Sequence, residues 1–287
     1  MPTARTGCCG SWRTWVERNW SVGPRNCHPA FLPTCNDGGG APLIVRLASI
    51  TGLLILWILT AWLGNDPEVL PMPGALITPF LAEVMSGDLP YHLAMTLIRV
   101  LWAFALAMAV GLALGLVMGL FPRVDAWLDP WLVIFLNLPA LVLIVLCYLW
   151  VGLNETALIL AVTLNKIPNV TTIVREGARA LDPDLKAMAQ VYRMPRATYL
   201  RHVVMPQLAP FVAAAARSGV AVIWKIVLVA EFLGRSSGVG FQIHLYFQLF
   251  DVVHVLIYSL SFIAVMLLVE WTLLQPWERR VRRWRAA

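Results

Sequence analysis

A chain that repeatedly strings together about 20 mainly apolar residues must bury them against one another or in lipid, and within lipid only helices and closed barrels satisfy their own backbone. Such stretches recur here at 44–64, 98–120, 131–152, 155–175, 207–231 and 252–275. Composition points the same way: 59% of the 287 residues are hydrophobic and 13% charged, against about 25% charged in soluble proteins. Mean hydropathy is +0.72. The reading is an all-α, polytopic membrane helix bundle with six spanning helices.

The net charge of +6 raises nucleic acid as a partner, but the cations cluster at the ends of apolar segments, which is a topology signal. Arg5, Arg13, Arg18, Arg25 and Arg46 precede or begin the first span, and Arg123 follows the second. Arg175, Arg179, Lys186, Arg193, Arg196 and Arg201 follow the fourth, and Arg279, Arg280, Arg282, Arg283 and Arg285 follow the sixth. The opposite loops carry Asp66, Glu68, Glu83, Asp88 and Glu155, with Arg235 and, at the rim of span two, Arg99. The expectation is a multi-pass protein of the bacterial plasma (inner) membrane with both termini cytoplasmic, partnered by lipid and not by nucleic acid.

Residues 1–43 lack helical or strand periodicity and end near Gly38-Gly39-Gly40, so they read as a disordered leader. No apolar core begins before about Ile44, which argues against a signal peptide; a misassigned start would account for the segment. Cys8, Cys9, Cys27 and Cys35 have neither a staple pattern nor zinc-type paired spacing, and no metal site is expected. The membrane domain is expected over 44–283, with a basic tail at 284–287.

Within span two, Ala103, Ala107, Gly111, Gly115 and Gly119 recur every four residues, so one helix face admits a close backbone. The partner is either a neighbouring span or a second copy. Ahead of it, Leu70-Pro71-Met72-Pro73-Gly74 makes a turn, and 75–85 is a short amphipathic stretch suited to the interface.

The segment 176–206 is too charged to span, yet it is patterned. Leu185, Met188, Ala189 and Tyr192 fall at i, i+3, i+4 and i+7, one apolar face of a short helix started by Asp182-Pro183. Pro195 stops that helix, and a second, carrying Tyr199, Leu200, Val203 and Val204, leads to Pro206. The result is a cytoplasmic helix-turn-helix, read either as a docking element or as an amphipathic connector on headgroups.

This spacing resembles the coupling loop of the permease subunits of binding-protein-dependent ABC importers, whose signature is Glu-Ala-Ala, three residues, Gly, nine residues, Ile-x-Leu-Pro. Counting back from Pro206 sets Ala187-Met188-Ala189 on the triplet, Arg193 on the glycine and Val203-Val204-Met205-Pro206 on the last part. Glutamate and glycine are both replaced. Leu138-Pro139, Leu149-Trp150-Val151-Gly152, Asn154-Glu155, Pro168 with Thr171 and Thr172, Trp224, Val229-Ala230-Glu231 and Gly234 to Gly240 are similar to the nitrate, sulfonate and taurine branch. So are Leu70-Pro71-x-Pro73 and the face of His92, Thr96 and Arg99. The resemblance implies a second permease copy as a homodimer partner, an ABC ATP-binding subunit that docks the loop and holds ATP and Mg, and an extracytoplasmic substrate-binding protein. No cofactor on this chain is implied.

Arg217, Lys225 and Glu231 lie in or near span five, where each charge costs about 2.5–3.5 kcal/mol at a helix centre. Arg217, Ala221 and Lys225 share a face and, with backbone N–H groups of the turn at Gly238 and Gly240 and the bend at Pro168, suit a path for an oxyanion. The alternative is that both cations snorkel to opposite interfaces and Glu231 sits in water. Asn165 and Lys166 lie just before Pro168, whose ring frees backbone carbonyls. No G-x-x-x-x-G-K-[ST] or H-E-x-x-H occurs, so no catalytic residue is expected and ATP hydrolysis falls to a partner. A self-contained secondary transporter driven by an ion gradient is the alternative, although no internal repeat supports it.

Overall fold

The computed structural model of the chain describes residues 43–276, apart from 65 and 67, and among them every regular element is helical. The expected leader, its cysteines and the basic tail lie outside the described residues, except that Leu43 opens the first helix. Residues up to Leu54 and residues from Ile55 onward form two compact units. Of the first, only the opening part of α1 (Leu43–Gly64) is described, an apolar helix with Ile50 and Leu53 exposed.

The second unit continues with α2 (Ile77–Ser86), α3 (Asp88–Leu120), α4 (Pro122–Asn137), α5 (Ala140–Val151) and α6 (Glu155–Arg179). After them come α7 (Pro183–Val191), α8 (Arg196–Tyr199), α9 (Met205–Gly234), α10 (Val239–Gln248) and α11 (Val252–Val269). By length and composition, four unbroken stretches among the described residues can cross a membrane: α3, α6, Ala197–Gly234 and Val252–Thr272. The pair α4 and α5, bent by 97°, makes a fifth if counted as one. The apolar stretch Ala48–Gly64 of α1 is shorter, about 25 Å at 1.5 Å per residue.

The helical membrane bundle is as expected, while the count of about six spans is not reached by these criteria, most clearly at 131–152. Leu138 is extended (φ −72°, ψ 124°) because the ring of Pro139 disfavours a helical residue before it, and Pro139 then caps α5. One apolar run becomes two helices. Span two departs in the other direction: α3 has 33 residues, starting at Asp88 and not near residue 98. Gly87, at φ +87°, turns the chain between α2 and α3 and so brings His92, Thr96 and Arg99 inside the helix.

The small-residue stripe finds its partner within the chain. A Cβ on Gly111, Gly115 or Gly119 would sit 2.7, 2.7 and 2.4 Å from side-chain atoms of Val170, Val174 and Ala178 on α6, so the two backbones meet where nothing larger fits. Ala103 and Ala107 are fully buried above them. Ile144, Leu158, Val162, Ile223 and Val227 fill the space among α5, α6 and α9. Pro206 does not interrupt the path into α9: the ladder widens over Leu200–Val204, where the N–H of Met205 reaches back to the Leu200 carbonyl, directly before the proline that has no N–H to give. The second loop helix and span five are therefore one continuous rod.

Candidate functional site

Three groups of polar residues stand out along the bundle, at its two ends and on the face of α9.

At the end that follows α6, α7 and α8 make an elbow. Asp182 accepts the Asp184 N–H (2.8 Å) with Pro183 in the first turn, so α7 starts as its sequence predicts. It ends in a Schellman motif: the N–H of Arg193 reaches Gln190 O (3.1 Å), that of Met194 reaches Ala189 O (3.0 Å), and Arg193 is left-handed at φ +48°. That position ordinarily takes glycine, the residue the coupling-loop signature has there. The conformation survives the substitution. Pro195 then opens α8, its carbonyl accepting from Tyr199 N–H at 2.9 Å.

The elbow is fastened at its root and bare at its tip. Asp182 N–H donates to Gln207 Oε1 (2.9 Å), and Gln207 Nε2 to Val203 O (3.0 Å), tying the start of α7 to the start of α9. Ala178, Val204 and Leu208 pack beneath. Ala189 and Val203 are buried, whereas Tyr192 is 73% exposed, and Ala187, Met188, Arg193, Pro195, Met205 and Pro206 are exposed with it. Leu185 is half-buried. The face expected to be apolar is thus divided: Ala189 looks inward and Tyr192 out. Arg175 and Arg179 brace the same end by pairing with Asp125 of α4, Arg175 also with Asp129.

On α9, Arg217, Ala221 and Lys225 do share a face, and they line a groove of about 190 Å³ with Val220, Trp224 and, from α11, Met266. Glu270 lies 3.7 Å from Arg217. Lys225 Nζ sits 5.4 Å from the centre of the Trp224 ring. With Glu270 offsetting one of the two cations, the groove keeps a net positive charge over an apolar wall, which suits an anion that also carries a hydrophobic part.

Glu231, Gly238 and Gly240 lie elsewhere, in a closed cluster at the far end. Arg99 is 2% exposed and Glu231 0%. All five Arg99 N–H groups are used: two hold Glu155 in a fork (2.6 and 2.8 Å), one holds Glu231 Oε1 (2.7 Å), and two reach the carbonyl and hydroxyl of Ser237 (2.6 and 2.8 Å). Arg235 adds a second cation on Glu155. Two arginines and two glutamates make the cluster neutral.

The turn that starts α10 closes over this pair. Gly240 N–H donates to Glu231 Oε2 (2.9 Å), Val239 N–H to Thr96 Oγ1 (2.8 Å) and Gly238 N–H to His92 Nδ1 (3.0 Å). Since Nδ1 accepts, the His92 proton sits on Nε2, so the Gln242 amide atom 2.6 Å away is the acceptor oxygen. The glycine turn therefore spends its N–H groups within the protein, contrary to the expectation of donors exposed to a substrate. Gly238 has φ +106°, and a Cβ there would lie 2.4 Å from Glu231 Cδ; only glycine lets the backbone approach this closely.

Pro168 is buried inside an unbroken α6, its carbonyl accepting from Thr172 Oγ1 at 2.9 Å. Arg99, read from sequence as a rim cation, is instead the centre of the far cluster. A signal for that exists: ionisable residues of balanced sign stand at the same end of three helices.

Residues 107–280 match the family described as binding-protein-dependent transport system inner membrane component. A protein of Escherichia coli (strain K12) named as an aliphatic sulfonates transport permease is 32% identical over 191 residues, 66% of this chain and 73% of the relative. The taurine transport system permease protein of the same organism is 27% identical over 246 residues, 84% and 89% of the two chains. Among solved structures, an amino acid ABC transporter aligns with TM-score 0.54 at 23% identity, over 70% of this chain and 98% of its own. The inward-facing methionine ABC transporter aligns at 0.53 and 18%, over 71% and 97%. These last two likenesses speak to the fold alone.

Proposed function

From the premise that the chain belongs to the family of binding-protein-dependent transport system inner membrane components, we propose that it conducts a small oxyanion, of the sulfonate or taurine kind its relatives are named for, driven by ATP hydrolysis on a docked subunit. It is a permease subunit of an importer and has no ATPase motif of its own. In this reading the importer domain runs over 44–283, the termini and the elbow face the cytoplasm, and a second copy completes the path. ATP and Mg sit on the ATP-binding partner, and a binding protein delivers solute from the opposite side.

The observation that carries the reading is the elbow. A short helix with Met188, Val191 and Tyr192 projecting into solvent, anchored at its root and closed by a full Schellman motif, has the form of a plug for a cleft on another protein. A headgroup connector needs neither the fixed turn nor the bare tip. Leu185, Ala187, Met188, Ala189, Tyr192, Arg193, Pro195, Val203, Met205 and Pro206 belong to the proposed coupling element. Of the path candidates, Arg217 and Lys225 are assigned to the solute, whereas Glu231, Gly238 and Gly240 hold the helix ends around it and Pro168 shapes α6.

Co-purification with the ATP-binding subunit tests the elbow. Tyr192→Asp is expected to lower the retained ATPase about tenfold, a central-anchor effect of about 1.4 kcal/mol, with an unchanged thermal midpoint; full retention would sink the docking assignment. Lys225→Met is expected to lower anion uptake severalfold while the ATPase stays bound, since one of about two cations facing the anion is lost. Unchanged uptake discards the groove as the path.

A further inference from the structure

Among the described residues, Lys166 is a buried cation without a carboxylate. It is 3% exposed near the middle of α6, and its ammonium meets only neutral acceptors: Asn169 Oδ1 at 2.9 Å and the Ser218 carbonyl of α9 at 3.4 Å. Arg99, Glu231 and Arg175, which are also buried or largely buried, have ionic partners. One turn before Lys166, Thr163 is 6% exposed, and its hydroxyl, fully enclosed, has no hydrogen-bond partner. A buried hydroxyl without a partner costs about 1–3 kcal/mol.

The packing beside them is not tight: a methyl on Gly219 of α9 would meet Lys166 Cε at 3.6 Å and Phe104 at 3.4 Å, ordinary contact. Ser218 also donates to Asn169 Oδ1 (3.4 Å), so the polar groups bridge α6 and α9. Ser218 and Lys225 lie seven residues apart on one side of α9, about 10 Å along its axis.

We propose that Thr163, Lys166, Asn169 and Ser218 form a second anion station, deeper than the α9 groove, which takes a small singly charged oxyanion such as a sulfonate headgroup when α6 and α9 part. The station rests on the oxyanion reading of the path. The ammonium supplies the charge, and the Thr163 and Ser218 hydroxyls and the Asn169 amide N–H supply donors to the anion oxygens. Without the anion, the lysine turns to Asn169 and Ser218, and the threonine hydroxyl is left unmatched.

The test uses the full chain in nanodiscs of neutral phosphatidylcholine, with sodium methanesulfonate as probe against sodium gluconate at equal ionic strength. Methanesulfonate should raise the thermal midpoint saturably. Its apparent Kd should rise about tenfold or more in Lys166→Gln and severalfold in Thr163→Val, and return to within about threefold of wild type in Lys166→Arg, which restores the charge-assisted contact. Because an uncompensated buried charge is removed, Lys166→Met should fold with a midpoint at or above wild type before any anion is added. Absence of a saturable response in wild type, or a response intact in Lys166→Gln, overturns the station. A response lost in Lys225→Gln and intact in Lys166→Gln overturns it and leaves the groove standing. Retention of the ATP-binding subunit reads the importer assignment separately from all of these.

Discussion

The two ends of α6 handle polar groups in opposite ways. At its N-terminus, Glu155 joins a cluster in which five guanidinium donors, two carboxylates and three consecutive backbone N–H groups are matched within the protein. Beyond its C-terminus, the elbow leaves Tyr192, Val191 and Met188 facing outward and is anchored through Gln207 and a small apolar pad. The first end is self-sufficient and neutral; the second leaves apolar side chains exposed. A low-dielectric cluster of the first kind breaks only at high cost, so it holds the helix ends together.

If that contrast holds, substitutions at the closed end should act on stability and those at the elbow on association. The largest effect is expected from Arg99→Ala, which strands Glu231 without a counter-charge: a loss of about 3–5 kcal/mol, read as a collapse of the thermal midpoint in detergent. A wild-type midpoint would mean that the cluster is ornamental to stability. Gly238→Ala comes next, at about 3 kcal/mol, from the left-handed φ and the collision with Glu231 together. Smallest is Arg193→Gly. Relief of about 1–2 kcal/mol of left-handed strain is offset by about 0.4–1 kcal/mol of chain entropy, leaving a gain near 0.5 kcal/mol with docking retained. A loss of stability there would show that the arginine side chain contributes more than its backbone costs.

Much of this was legible in the sequence, for identifiable reasons. The stripe from Ala103 to Gly119 announced a close helix contact because four-residue spacing of small side chains has one geometric meaning. Asp182-Pro183 and Pro195 marked the bounds of α7 because caps and prolines act locally. The 97° bend at Leu138-Pro139 was not anticipated, since hydropathy is blind to a break between two equally apolar helices. Arg99 was misplaced for a related reason: with α3 taken to begin near residue 98, the arginine stood at a rim, and ten further residues of helix put it in the core. Lys166 was noticed only as a neighbour of Pro168, because nothing local shows whether a lysine inside a span has a carboxylate opposite it.

The sequence by itself determined the solvent, the helical class and the exposed elbow, all of which follow from composition and short-range pattern. Only the tertiary structure decided which charges cancel and which do not. Arg99 with Glu231 and Lys166 with Ser218 are contacts over 132 and 52 residues of chain. The free energy of a buried charge depends on the group placed against it across the helix interface. That juxtaposition separates the closed cluster from Lys166 of α6, whose ammonium meets neutral acceptors.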